Sequence, residues 1–309
     1  MEEVLAFLPE SLQETITQMS VSEQERIEEI RLRINRPLEV IVAGKPVYPA
    51  MRNVLHEEGV YFLNRISQYS LYTLEEEFRR GFITISGGHR IGIAGKVITE
   101  NGAVKAIRDI TSFNIRIARE KIGVAECLIP HIYKEGWLNT LLIGPPQSGK
   151  TTLLRDLVRI ISSGNKQWGT SAQKVGLIDE RSEIAGCVNG IPQHTFGIRL
   201  DVLDACPKAE GMMMMIRSMS PQIIVVDEIG RREDVEAIID AVHAGIQLFV
   251  SIHGFTLEDV KQRPIFRDLF DNGVFDTYVE LSARKGAGTI EVIRNKEGMV
   301  STTAMEVKS

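Results

Sequence analysis

Gly144-Pro145-Pro146-Gln147-Ser148-Gly149-Lys150-Thr151 satisfies every constrained position of the phosphate-binding pattern G-x-x-x-x-G-K-[ST]. The two glycines let the backbone turn tightly, so that its N–H groups can point inward at an anionic phosphate. Lys150 has the reach for β- and γ-phosphates, and the Thr151 hydroxyl can take one position on Mg²⁺. The flanks agree. Thr140-Leu141-Leu142-Ile143 reads as a short buried strand, and Thr151 to Val158 reads as the helix after the loop. A helix N-terminus placed there adds its own attraction for phosphate. The expected nucleotide-holding set is Gly144, Pro145, Pro146, Gln147, Ser148, Gly149, Lys150, Thr151 and Thr152.

Downstream, Ile223-Ile224-Val225-Val226-Asp227-Glu228 is an apolar run ending in paired acids. Such a run suits a strand of a parallel sheet covered on both faces. Asp227 then emerges at the strand's C-terminal end, where it can hold Mg²⁺ directly or through water together with Thr151. Glu228 follows with the reach to polarise an attacking water. GTPases use a glutamine for that task, so the second acid favours ATP. Asn165-Lys166-Gln167-Trp168 half-matches a guanine-reading N-K-x-D, but its aspartate is missing. Two further apolar runs end in polar residues, at Asp179-Glu180-Arg181-Ser182-Glu183 and at His253-Gly254. Asp179 and Glu180 are candidates to position water and His253 to sense the γ-phosphate. The plainer alternatives are an exposed loop and a structural histidine.

The series of phosphate loop, acidic box (Asp179, Glu180, Glu183), Arg217 to Pro221, Asp227 to Arg231 and His253 resembles the secretion ATPases, the hexameric motors of type II and type IV secretion and pilus retraction. Longer stretches are similar to the stage III sporulation protein AA family of endospore-forming bacteria: Lys150–Asp156, Asp179–Ala185, Asp201–Lys208, Met219–Gly230 and Gly81–Arg90. One departure is the Asp227-Glu228 pair, where many secretion motors carry Gly-Glu. The resemblance implies a cytoplasmic, hexameric ATPase on the mother-cell side, peripherally attached to membrane proteins of a sporulation channel. It also implies arginines that face the nucleotide of the same or a neighbouring subunit. Arg116 and Arg119 are the candidates, with Arg217 and Arg231 competing.

Length and composition fit two domains. The chain has 309 residues, 43% of them apolar, and a net charge of −5; that is more than one typical core requires. It holds no run of about eighteen apolar residues and no basic start of a signal peptide. Cys127, Cys187 and Cys206 follow neither a disulfide nor a zinc spacing. The boundary is expected between about Ala118 and Trp137, giving an N-terminal α+β domain (1–130) and a RecA-like P-loop α/β domain (131–309). Pro9–Ser20 and Ser22–Ile30 read as helices, the second with a Ser22/Glu25 capping box. Leu38–Val42 reads as a strand with a turn at Gly44, Ile66–Arg80 as a helix, and Phe82–Ser86 with Arg90–Ala94 as a hairpin around Gly87-Gly88. In the second domain, strands are expected to end near Ile143, Ile178, Val226, Ile252, Leu281 and Ile293. Helical patterns lie between them at 205–219, 231–244 and 257–271.

Residues 79–121 carry nine Lys/Arg against three Asp/Glu. A solvated face, a nucleic-acid patch and a nucleotide-facing surface all fit that charge. Only Phe82 and Phe113 interleave with it, so a base-stacking platform is poorly supported and no nucleic-acid partner is expected. Met212 to Met215 occupy consecutive helix positions and so cannot all face one core. The expected function is ATP hydrolysis driving a secretion-type membrane complex. A nucleic-acid-dependent P-loop ATPase is the alternative, distinguished by whether DNA or RNA stimulates turnover.

Overall fold

The computed structural model describes residues 1–67, 77 and 81–305. It separates into two compact units, Met1–Arg119 and Glu120–Ser309.

The first unit is built on an antiparallel sheet of order β3-β2-β1-β6-β5-β4. Its strands are β1 (Ile27–Arg33), β2 (Glu39–Val42), β3 (Lys45–Val47), β4 (Phe82–Ile85), β5 (His89–Glu100) and β6 (Ala103–Arg116). Helices α1 (Glu10–Thr17) and α2 (His56–Ile66) bury Leu12, Ile16, Phe62 and Ile66 against Ile30, Leu32, Val40, Ile91 and Phe113 of the sheet. The hairpin about Gly87-Gly88 is present, with Ile85 opposite His89. The expected helix over 22–30 is not. A single turn, Val21–Gln24, is capped by Ser20 and Glu23 rather than by Ser22 and Glu25, and Ile27 already begins β1. Ile27 and Ile30 are three residues apart, which reads as helical spacing. A bulge between Ile27 and Glu29 is what brings both onto one buried strand face. The helix expected over Ile66–Arg80 falls almost entirely outside the described residues; α2 ends at Ile66.

The second unit carries a sheet of order β14-β13-β12-β7-β11-β10-β8-β9. Its strands are β7 (Thr140–Gly144), β8 (Val175–Asp179), β9 (Leu200–Asp204), β10 (Ile223–Ile229), β11 (Gln247–His253), β12 (Thr277–Ser282), β13 (Thr289–Asn295) and β14 (Val300–Met305). The run from β12 through β7, β11, β10 and β8 to β9 is parallel, and β13 and β14 add an antiparallel edge. Alternate strand residues serve opposite faces. Leu142, Leu177, Val225 and Phe249 pack with Leu153, Leu154 and Leu157 of α3 (Lys150–Ser163). Leu141, Ile143, Ile178 and Val226 pack with α4 (Lys208–Ser218) and α5 (Arg232–His243). Cover on both faces explains the unbroken apolar strands. The pattern over 257–271 is not one helix: Leu257–Lys261 and Arg267–Asp271 are separated by a tight turn beginning at Pro264, whose missing N–H interrupts the ladder. Val124, Leu128, Ile129 and Ile132 are buried in the α3 core. Asp156 on α3 fixes the start of that segment by accepting the N–H groups of Gly123 (3.1 Å) and Ala125 (2.8 Å). Among the described residues, no helix is long and apolar enough to cross a membrane.

Candidate functional site

The phosphate loop joins β7 to α3 at the C-terminal edge of the parallel strands. Gly149 immediately precedes α3 with φ of 91°, and a Cβ there would lie 2.5 Å from the Gly288 backbone nitrogen. Only glycine fits. The turn between β12 and β13 braces the loop from that side, the Gly288 N–H donating to Ser148 O at 2.8 Å. A Cβ at Gly144 would run into the Ser148 side chain. Lys150 is buried, and its ammonium donates to the carbonyls of Gly144 (2.8 Å) and Pro145 (3.0 Å). Burial pulls its pKa down, while Glu228, 3.9 Å away, and then Asp227 act to hold the charge.

β11 lies between the loop strand β7 and the acid-bearing strand β10, and it supplies the residue that ties them together. Ser251 on β11 is fully buried; its hydroxyl donates to Asp227 Oδ1 and accepts the Glu228 N–H at 2.9 Å. The other Asp227 oxygen accepts from Thr151 Oγ1 at 2.8 Å. Asp227 is pushed up by burial, with Ser251 and then Thr151 opposing the rise. Glu228 has left-handed backbone, φ 51°, at a point where the β10–β11 register shifts. The bulge turns its carboxylate toward the loop, where it meets Arg181 at 2.7 Å as well as Lys150. Thr151, Asp227, Glu228 and Lys150 thus form one cluster.

The acidic box behaves differently. Asp179 is buried, and its carboxylate accepts the N–H groups of Glu183 (2.9 Å), Ile184 (2.9 Å) and Ala185 (2.8 Å). Burial raises its pKa to about 6 against those bonds. It shapes its own loop, with Arg155 of α3 donating to the carbonyls of Glu183 (2.5 Å) and Ile184 (2.8 Å). Glu180 pairs with Lys208 at the start of α4.

His253 is exposed at the end of β11, in register with Gly144. Its carbonyl accepts from Arg263 at 2.6 Å. Arg217 is exposed in the last turn of α4, and Arg231 is exposed just before α5, whose start is capped by Asp234. In the first unit, Arg116 is exposed on β6, whereas Arg119 is committed locally, donating to the Glu25 carbonyl and to Ile27 O at 2.8 Å. Beside the phosphate loop, Lys121, Val124, Thr152 and the 285–289 turn line a cavity of about 310 Å³. Ser251, Arg181 and Gly288 were not singled out from sequence. For Ser251 a signal existed: it is the lone hydroxyl in the apolar run Leu248–Ile252.

Residues 1–301 match the family described as sporulation stage III, protein AA. The chain belongs to this family. It is 54% identical to stage III sporulation protein AA of Bacillus subtilis (strain 168) over 309 residues, covering 100% of both chains. Among solved structures it is similar to the Legionella pneumophila ATPase DotB, with a TM-score of 0.60 at 14% identity, covering 88% of this chain and 76% of the other. The pilus retraction motor PilT with bound ADP gives a TM-score of 0.58 at 17% identity, covering 86% and 78%. At such identities the likeness is one of fold. It bears out the RecA-like secretion-ATPase architecture expected from the sequence.

Proposed function

We propose that the chain is an ATP-hydrolysing motor that works as a homohexamer on the mother-cell side of a sporulation channel. The observation that carries the chemistry is the convergence of Thr151 and Asp227 at 2.8 Å beside Lys150 and Glu228. Among the described residues there is no cluster of three or more metal-binding side chains. A single hydroxyl with a single carboxylate is nonetheless the protein share that Mg²⁺ needs when phosphate and water complete its shell. Bound there, Mg²⁺ would neutralise charge on the phosphate oxygens. The loop N–H groups and Lys150 hold the triphosphate, and Glu228 takes the proton of the attacking water. Asp179 positions through its loop, Glu180 and His253 serve near the γ-phosphate, and Arg116 is the leading arginine for action across subunits. Arg119, Arg217 and Arg231 rank behind it. Regulation and subunit contact fall to the first unit, Met1–Arg119, and hydrolysis to the second, which begins at Glu120 rather than at the expected 131.

The test separates binding from chemistry. Lys150→Ala should abolish most binding of a fluorescent ATP analogue. Glu228→Gln should bind it normally and hydrolyse ATP slower by about two orders of magnitude or more. Parental turnover in Glu228→Gln, with loss in Glu180→Gln, would move the general base into the acidic box.

A further inference from the structure

Arg181 has no task in the nucleotide chemistry described so far, although its guanidinium lies nearer the Glu228 carboxylate than Lys150 does, 2.7 Å against 3.9 Å. Acids crowd the ends of two neighbouring strands here. β8 and β10 run parallel with Ile178 beside Val226, so Asp179 and Glu180 leave one strand where Asp227 and Glu228 leave the next. Lys208 pairs with Glu180. Glu228 is shared between two cations, with Arg181 Nη1 on Oε2 and Lys150 facing Oε1.

The loop that carries Arg181 is held without help from the arginine side chain. The Asp179 carbonyl accepts the Ser182 N–H at 3.2 Å, Ser182 has left-handed backbone (φ 53°), and the Asp179 carboxylate takes the next three N–H groups. Arg155, on the helix that follows the phosphate loop, fixes the carbonyls of Glu183 and Ile184. The Arg181 side chain is itself 62% exposed. Its contact with Glu228 is therefore an addition to a loop whose shape is already set.

Glu228 needs that contact for a physical reason. Its backbone is fixed, because Ser251 accepts its N–H at 2.9 Å. Its side chain is long, and an unheld carboxylate of this kind samples many rotamers. A general base must meet its proton donor at about 2.6–3.2 Å. Oε2 is taken by Arg181. Oε1, at 3.9 Å from Lys150, is beyond hydrogen-bond distance of that ammonium and is the oxygen left for water.

We infer that Arg181 is a positioning residue for hydrolysis: its guanidinium holds Glu228 by Oε2 so that Oε1 faces the attacking water. The inference deepens the reading of Glu228 as the base and rests on it. One nitrogen against one oxygen is a contact that an ammonium can also make. The position thus requires a cation of sufficient reach, with no demand for a bidentate fork.

The experiment uses the full chain. Arg181→Ala should lower kcat about tenfold to a hundredfold, the scale of a misplaced reacting group, with KM and binding of the ATP analogue unchanged. Arg181→Lys should recover most of that loss. In a Glu228→Gln background, Arg181→Ala should have no further effect, because the group it positions is gone. Two readouts need no turnover. The melting midpoints of both Arg181 variants should match the parent. Carbodiimide labelling of the nucleotide-free protein, read by mass spectrometry, should modify Glu228 faster in Arg181→Ala than in the parent. A kcat equal to or above the parent's in Arg181→Ala, a lowered midpoint, unchanged labelling, or a Lys variant no better than Ala would each overturn the inference. So would weaker analogue binding, or an additive loss in the Glu228→Gln background, either of which would mean that Arg181 touches the triphosphate itself. Parental turnover in Glu228→Gln removes the base and the positioning together, whereas a slow Glu228→Gln beside a parental Arg181→Ala sinks the positioning alone.

Discussion

Ser251→Ala is the substitution that probes the site most directly. The serine hydroxyl joins two groups from its buried place on β11, donating to Asp227 Oδ1 and accepting the Glu228 N–H at 2.9 Å. Alanine leaves one carboxylate oxygen and one backbone N–H without those partners. A lost bond to a charged group costs about 1.5–3 kcal/mol, and a stranded buried donor about 1–3 kcal/mol. The two share one residue and do not add fully, so a loss of about 2–4 kcal/mol is expected. Urea unfolding of the full chain reads this as a lower midpoint with an unchanged slope. A second readout follows from titration. Burial already raises Asp227, and Ser251 is the foremost group opposing that rise. Without the hydroxyl, Asp227 keeps its proton to higher pH, so the acid limb of ATP hydrolysis should move upward in pH. Stability within about 0.5 kcal/mol of the parent, typical of an uninvolved site, together with an unmoved acid limb would refute the reasoning.

Three other outcomes are expected. Asp179 titrates near 6 in the folded chain against 3.8 in the reference state, so the folded form binds the extra proton between those values and stability falls as pH rises through that window, by at most about 3 kcal/mol. Asp179→Asn cannot ionise; relative to the parent it should gain stability from about pH 4 to 6 and run level above, and urea melts showing a pH-independent difference would contradict this. Arg116→Ala should lower turnover while leaving thermal stability unchanged, whereas Arg119→Ala should cost about 1–3 kcal/mol of stability through its lost carbonyl bonds; calorimetry with matched activity assays would expose the reverse pattern. A fragment starting at Glu120 should fold and bind nucleotide, but one starting at Trp137 should not. The shorter piece lacks Val124, Leu128, Ile129 and Ile132, and burial of four such side chains is worth about 6–12 kcal/mol, which rivals the whole stability of a domain. A cooperative melt of the 137–309 fragment would disprove this.

The phosphate loop and its flanking strands were legible because a tight turn, a close backbone approach and two-sided burial leave few residue choices. Their signature is local. The strand ends at Asp179, Asp227 and His253 were visible for the same reason: each follows an unbroken apolar run. In the second unit the edge strands escaped. β9 reads Leu-Asp-Val-Leu-Asp and is half-buried throughout, and β14 is rich in threonine. Neither shows the two-sided burial that marks the central strands. The bulge in β1 imitated a helical period, which explains the misplaced helix and capping box. Within the site, the partners of Glu228 depend on where segments far apart in sequence meet, and those of Asp179 on how one tight loop folds back over it. Periodicity holds no record of that. Only the solitary hydroxyl in β11 hinted at Ser251.

The brace between Gly288 and the phosphate loop bears on how the protein comes into being. Gly149 and Ser148 leave the ribosome well before the β12–β13 turn that supports them. Domains ordinarily fold as units in order of synthesis, and contacts between distant residues form late. The loop therefore carries its complete sequence motif long before it can hold its shape. Nascent chains stalled ahead of Gly288 should expose the motif without gaining its affinity for nucleotide, so each molecule acquires its ligand only once the β12–β13 turn has been made.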